Sequence, residues 1–136
     1  MGTDLLADPE VSALCERCSR EIDLRRLLTE SGEDELRLTE NAQPALCFLG
    51  IGLTLLLRRA GLAPSFTAGH SVGEYAALAA AGALSPEDAV AAVVHRGRAM
   101  AEAVPAGRTS MVAVLGLSPE AIATALAEID DCWPAN

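Results

Sequence analysis

The apolar positions of this chain recur mostly every three to four residues, in stretches separated by short breaks rich in Gly, Pro and Ser. That period predicts helices. Pro9 to Ile22 reads as one amphipathic helix and Asp23 to Thr29 as a shorter one, with Ser31-Gly32 breaking the chain after them. The longest apolar run is Ala45 to Leu57, closed by Arg58 and Arg59. It is shorter than the roughly 20 residues that cross a bilayer, so it reads as a buried helix whose basic end reaches water. Thr39 or Asn41 is the expected cap, with Pro44 in the first turn. Gly61 and Pro64 end that helix. Phe66-Thr67-Ala68 runs into Gly69 and reads as a short buried strand. Val72 to Ala81 is a small-residue helix suited to close packing, ended by Gly82. Ser85-Pro86-Glu87-Asp88 is a strong helix start. The helix runs to about Ala103, with an apolar stripe of Val90, Val93, Val94, Gly97, Met100 and Ala101. Pro105 and Gly107 make a loop, Ser110 to Leu117 reads as a strand, and Ser118-Pro119-Glu120 starts a last helix reaching about Ile129. Helices, strand, two helices, strand and helix make an α/β pattern.

Composition narrows the chemistry. The 136 residues suit one domain. Lys and Arg number 10 against 19 Asp and Glu, a net charge of −9. That balance argues against nucleic acid or an anionic membrane as partner, and 3% aromatic residues argue against a surface for stacking bases. Cys15 and Cys18 form C-x-x-C, but no second pair follows at zinc spacing and the motif lies in a helical pattern, so they read as two thiols one turn apart. Cys47 reads as core filler. The acidic N-terminus lacks the basic start of a signal peptide.

One motif carries chemistry. Gly69-His70-Ser71-Val72-Gly73 is a G-x-S-x-G. A serine on a sharp strand-to-helix turn has its hydroxyl pushed clear of the backbone, and glycines flank it because neighbouring backbone crowds the turn. The helix behind it begins at Val72, and its first amides lack helical partners, so they can donate to a developing oxyanion. A nucleophilic serine needs a base. His70 is adjacent in sequence and its side chain diverges from a tight turn. His95 lies about 140° from the apolar stripe, toward solvent. Arg96 falls beside Val93 and Met100 at the stripe's edge, where an arginine buries its stem and turns its fork sideways into a cleft. That fork suits a carboxylate.

With these residues in place, GHSVGEYAALAAAGALS followed by HRGRAMAEAVPAG resembles malonyl-CoA:acyl carrier protein transacylase and the acyltransferase domains of polyketide and fatty acid synthases. TENAQPAL upstream and TSMVAVLGLSPEAI downstream are similar to the same family, so the resemblance covers the whole chain. It implies that Ser71 takes the malonyl group from malonyl-CoA as an ester and passes it to the phosphopantetheine thiol of acyl carrier protein. It further implies that Arg96 pairs with the malonyl carboxylate and that the Val72 N–H is an oxyanion donor. Gln43 lines the site, and His70 belongs to the motif without being the base. No metal or cofactor is implied, malonyl-CoA being a substrate, and the location implied is cytoplasmic.

The implied fold is the incomplete core of the acyltransferase α/β-hydrolase-like fold. Residues 1–107 form a partial core without the family's first strand and G-Q-G-S-Q loop, and residues 108–136 begin an inserted ferredoxin-like subdomain. The family's catalytic histidine lies beyond the segment matched, so the isolated chain is expected to be an inefficient transacylase. Two other readings compete. An α/β-hydrolase esterase shares G-x-S-x-G but needs a late histidine, and none follows His95. A catalytically dead half-domain would bind coenzyme A or acyl carrier protein, docking the acidic carrier on a basic patch near Arg58, Arg59, Arg96 and Arg98.

Overall fold

The computed structural model describes residues 2–104 and 107–135. They form helices α1 (Thr3–Leu6), α2 (Pro9–Cys18), α3 (Leu24–Thr29), α4 (Glu33–Arg37), α5 (Thr39–Arg59), α6 (Gly73–Ala81), α7 (Pro86–Ala103) and α8 (Pro119–Leu126). The chain divides into two compact units, Met1–Ala106 and Gly107–Asn136. The expected loop at Pro105 lies outside the described residues.

In the first unit α5 is the spine. α7 packs along it, α6 lies against both, and α2, α3 and α4 close the remaining sides. The core between them holds Ala45, Cys47, Phe48 and Ile51 of α5, Val90, Val93 and Val94 of α7, Val11 and Leu14 of α2, and Leu24, Leu27 and Leu28 of α3. Each large side chain taken out of water there is worth roughly 1.5–3 kcal/mol. The stripe read from the sequence on α7 is thus its buried face.

The helix starts follow local chemistry. Asp8 precedes Pro9, and its carboxylate accepts from the backbone N–H of Glu10 and Val11. Ser85 precedes Pro86 and accepts from Asp88 N at 3.0 Å. In the second unit Ser118 precedes Pro119 and accepts from Ala121 N at 3.3 Å. An oxygen at the N-cap satisfies an orphan amide, and proline at the next position gives up no bond. Gly82 ends α6 in the left-handed region at φ 76.

Three expectations are corrected. α2 stops at Cys18 instead of Ile22, where Ser19 Oγ turns back to Cys15 O. α5 begins at Thr39 with Leu38 as its N-cap, so neither Thr39 nor Asn41 caps it and Pro44 sits beyond the first turn. The Asn41 side-chain amide instead donates to Glu35 O, 3.0 Å away. The third correction concerns the two expected strands, because the described residues contain none. Residues 66–69 and 111–115 lie outside any helix or turn and form no ladder. A strand is defined by backbone bonds to a neighbour, and each unit holds one of these segments. Their apolar side chains are correspondingly open, with Phe66 93% exposed and Met111 and Leu115 nearly as much.

By length and composition α5 is long and apolar enough to cross a membrane. Gln43, Pro44, Ala45, Cys47, Phe48, Ile51 and Gly52 are buried within the unit, which makes it a core helix. Burial pushes the thiols of Cys18 and Cys47 up to about 12 and that of Cys15 upward. They are held as thiols and behave as small hydrophobes. Cys132 is exposed.

Candidate active site

Residues 66–69 lead directly into the turn that carries Ser71. Ser71 has φ 54, in the left-handed region that non-glycine residues seldom enter. The turn is held by Gly73 N donating to His70 O at 2.9 Å and Glu74 N donating to Ser71 O at 3.2 Å. A Cβ on Gly69 would fall inside the backbone of Gly73 and Glu74, so only glycine lets the chain fold back this tightly. A Cβ on Gly73 would meet nothing. Of the two motif glycines, the first is therefore demanded by the elbow itself.

The elbow leaves Ser71 exposed at the start of α6. Val72 packs its side chain against the core, and among the described residues its N–H has no acceptor. A free amide beside an exposed hydroxyl is the geometry an oxyanion requires.

Arg96 reaches this hydroxyl from α7. Its Nη2 donates to Ser71 Oγ at 3.1 Å, and its Nη1 donates to Gln43 Oε1 on α5. Gln43 is 6% exposed. Its Nε2 donates to Thr39 Oγ1 at 2.6 Å and to Met100 Sδ at 3.2 Å. The helices approach closely enough because residue 97 is glycine: a Cβ there would lie 2.8 Å from Glu40 Cα and 3.2 Å from Thr39 O. Three elements thus converge, with α5 giving Gln43, α7 giving Arg96 and the α6 elbow giving Ser71 and Val72.

The histidines stay apart. His70 and His95 are both exposed, and among the described residues neither is bonded to Ser71. His95 points outward as its helical phase predicts. The arginines expected to form a basic patch each have partners. Arg59 is paired with Asp8 and Glu10, Arg98 with Glu21, and Arg58 donates to Ala80 O. Among the described residues no group of three His, Cys, Asp or Glu is placed to hold a metal ion. A groove lined by Leu57, Arg58, Leu62, Phe66 and Ala77 lies between α5, α6 and the segment before the turn, and contains none of Gln43, His70, Ser71, Val72 and Arg96.

Two contributors escaped the sequence reading. Thr39 was expected as a cap and Met100 as part of the apolar stripe. Each sits four residues from a candidate on its own helix, Thr39 before Gln43 and Met100 after Arg96. That spacing places a pair on one face and is the only signal that could have found them.

An exposed hydroxyl on a strained turn, a free amide beside it and a fixed guanidinium suit an acyl group that ends in a carboxylate. The acyl transferase domain family matches residues 1–135. The malonyl CoA-acyl carrier protein transacylase of Bacillus subtilis is 52% identical over 102 residues, 75% of this chain and 32% of that protein. The Staphylococcus aureus protein of the same name is 48% identical over 97 residues, 71% of this chain and 31% of that one. Among solved structures, a malonyl-transacylase in complex with a type II polyketide synthase acyl carrier protein aligns with TM-score 0.85 and 37% identity, over 96% of this chain and 44% of that chain. The transacylase of Clostridium perfringens aligns with TM-score 0.82 and 34% identity, over 93% and 41%. The chain spans about a third of the length of the curated relatives it matches. On the family match and these likenesses, the chain belongs to the acyl transferase domain family.

Proposed function

We propose that this chain carries the nucleophile and the carboxylate-binding arginine of a transacylase that moves a malonyl group from malonyl-CoA to acyl carrier protein. The carrying observation is the Arg96 guanidinium bonded at once to Ser71 Oγ and Gln43 Oε1. A cation this close to the nucleophile fixes the far end of a short dicarboxylic acyl group, and its fork matches a carboxylate. The thioester carbonyl then lies over Ser71.

Ser71 Oγ attacks that carbonyl and the developing oxyanion takes a hydrogen bond from the Val72 N–H. The C–S bond breaks, and coenzyme A leaves as its thiol. The malonyl ester on Ser71 is next attacked by the phosphopantetheine thiol of the carrier, which restores the serine hydroxyl. A base must take the serine proton as Oγ attacks and pass it to the departing sulfur, then carry the carrier thiol's proton back to the serine oxygen in the second step. Neither His70 nor His95 contacts Ser71, so the chain by itself is expected to acylate slowly, with the base and a second oxyanion donor supplied from elsewhere in the fold. Losing one such donor typically costs about 10²–10³ in rate. His70 shapes the elbow through its backbone carbonyl and takes no proton. The reaction uses malonyl-CoA as substrate and no cofactor or metal, and its location is cytoplasmic.

The division into two compact units at Ala106 supports reading residues 1–107 as part of an α/β acyltransferase core and 108–136 as the start of the ferredoxin-like subdomain. Residues 66–69 and 111–115 are where sheet strands would form once a neighbouring strand pairs with them.

Labelling tests the reading. Malonyl-CoA should leave a malonyl ester on the Ser71 peptide, seen by mass spectrometry and absent from Ser71→Ala. Acetyl-CoA should label less, and Arg96→Leu should abolish the preference. Equal labelling by the two thioesters, or an unchanged preference in Arg96→Leu, would overturn it.

A further inference from the structure

Gln43 is fully occupied in an unusual way. It is buried, and a glutamine amide has two N–H donors and one carbonyl oxygen to satisfy. One N–H goes to Thr39 Oγ1 at 2.6 Å, the other to Met100 Sδ at 3.2 Å, and the oxygen accepts from Arg96 Nη1. The two acceptors lie on the same end of the amide. Met100, which can only accept, and Arg96, which can only donate, leave one orientation, with the oxygen toward α7 and Arg96. The opposite orientation would aim an N–H at the guanidinium and set the carbonyl oxygen against a thioether that has no proton to give.

We propose that Thr39 is a positioning residue: its hydroxyl anchors the Gln43 amide, whose orientation Met100 and Arg96 set, and through that amide it holds the Arg96 guanidinium over Ser71. The proposal rests on the reading of Arg96 and Ser71 as the acyl site. Thr39 touches neither the nucleophile nor the place where an acyl group would lie. It is the first residue of α5, and its side chain lies one turn before Gln43 on the same face. The close seat of Gly97 on Thr39 O and Glu40 Cα keeps that first turn against α7, so hydroxyl, amide and guanidinium stay in register across the two helices. Sulfur is a weak acceptor, so the stronger hold on the amide is the hydroxyl. Valine at 39 keeps the shape and loses the acceptor, whereas serine keeps it.

The test reads the side chains directly, in the full chain labelled with ¹⁵N, with signals assigned by comparison with Gln43→Glu and Arg96→Lys. Wild type and Thr39→Ser should show two well-separated Gln43 amide protons and slowly exchanging Arg96 side-chain protons. In Thr39→Val the amide protons should converge, and Arg96 exchange should quicken about tenfold, the scale of one lost hydrogen bond near a charge. Malonyl-CoA binding should weaken by about the same factor, while acetyl-CoA binding stays unchanged. Unaltered Gln43 and Arg96 signals in Thr39→Val would overturn the proposal. If those signals change as expected but wild type shows no preference for malonyl-CoA over acetyl-CoA, the positioning role stands and the malonyl reading falls. Should Thr39→Val fail to fold, Met100→Leu is the second arm: it should release one amide proton only, and two unchanged protons there would overturn the two-acceptor lock.

Discussion

Gly97→Ala tests whether the site depends on how closely α7 lies on α5. The added methyl would sit 2.8 Å from Glu40 Cα, 3.2 Å from Thr39 O and 3.5 Å from Glu40 N. All three are backbone atoms, which cannot swing aside as a side-chain tip does. Carbon atoms rest roughly 3.5–4.0 Å apart, so the helices must part by most of an ångström at this point. Overpacking of this kind costs about 1–3 kcal/mol. Replacing a mid-helix glycine by alanine returns about 1 kcal/mol of helix propensity. The clash wins, with a net loss on the order of 1 kcal/mol. For a unit of this size that lowers Tm by roughly 4–8 °C, measured by circular dichroism. Parting the helices also pulls Arg96 from Gln43, so the malonyl preference should weaken in the same variant. Gly73→Ala is the control, since a methyl there meets nothing and should leave Tm level or raise it. A Gly97→Ala protein that melts no lower than wild type would refute the close-seat argument, because propensity alone would then account for the position.

Ser85→Ala removes the acceptor for Asp88 N and should cost α7 about 1 kcal/mol, read as a shift in the urea midpoint at constant slope. The Arg59 guanidinium beside Asp8, helped by the amides of Val11 and Glu10, holds its carboxyl at about 2, against an ordinary 3.8. A group depressed on folding stabilises above its unfolded value and loses that contribution as pH falls through the folded one. The stability gap between wild type and Asp8→Asn should therefore be level above about pH 4 and close toward pH 2, followed by acid titration of the melt. Alkylation should separate the thiols: Cys132 should react with iodoacetamide in the folded protein, whereas Cys15, Cys18 and Cys47 should react only in denaturant, counted by mass spectrometry.

What the sequence disclosed and what it withheld divide along the range of the interactions involved. Helix starts at Pro86 and Pro119 were legible because the cap lies within three residues of its acceptor amide. The elbow was legible because a glycine, a serine and a small-residue helix in that order have one local solution. His95 was placed outward by counting along one helix. Two segments were read as strands because Phe66-Thr67-Ala68 and Ser110 to Leu117 carry apolar strand-like runs, yet a ladder needs a neighbour that neither unit provides. α1 and α4 are too short for a period to show. The Gln43–Arg96 bond joins residues 53 apart, and no periodicity reports a contact of that span. Thr39 was expected to cap α5 because its residue type favours that role. Its hydroxyl is instead spent on Gln43, and the cap position falls to Leu38, which has no side-chain bond to give.

Pro44 has a mechanical consequence for the site. It lies inside α5, cannot donate to Glu40 O, and disfavours helical geometry in the residue before it, which is Gln43. The ladder of α5 therefore lacks one bond between the turn that bears Thr39 and Gln43 and the longer part that bears Phe48 and Ile51. The first turn behaves as a short arm clamped from the side by α7, while the rest of the helix is anchored in the core. Stiffness of the arm and stability of the core are then separate quantities. A substitution on α7 that reaches only side chains of the arm, as at Arg96, should loosen the proposed grip on an acyl carboxylate with little effect on the core, whereas Gly97, seated on the arm's backbone, moves both.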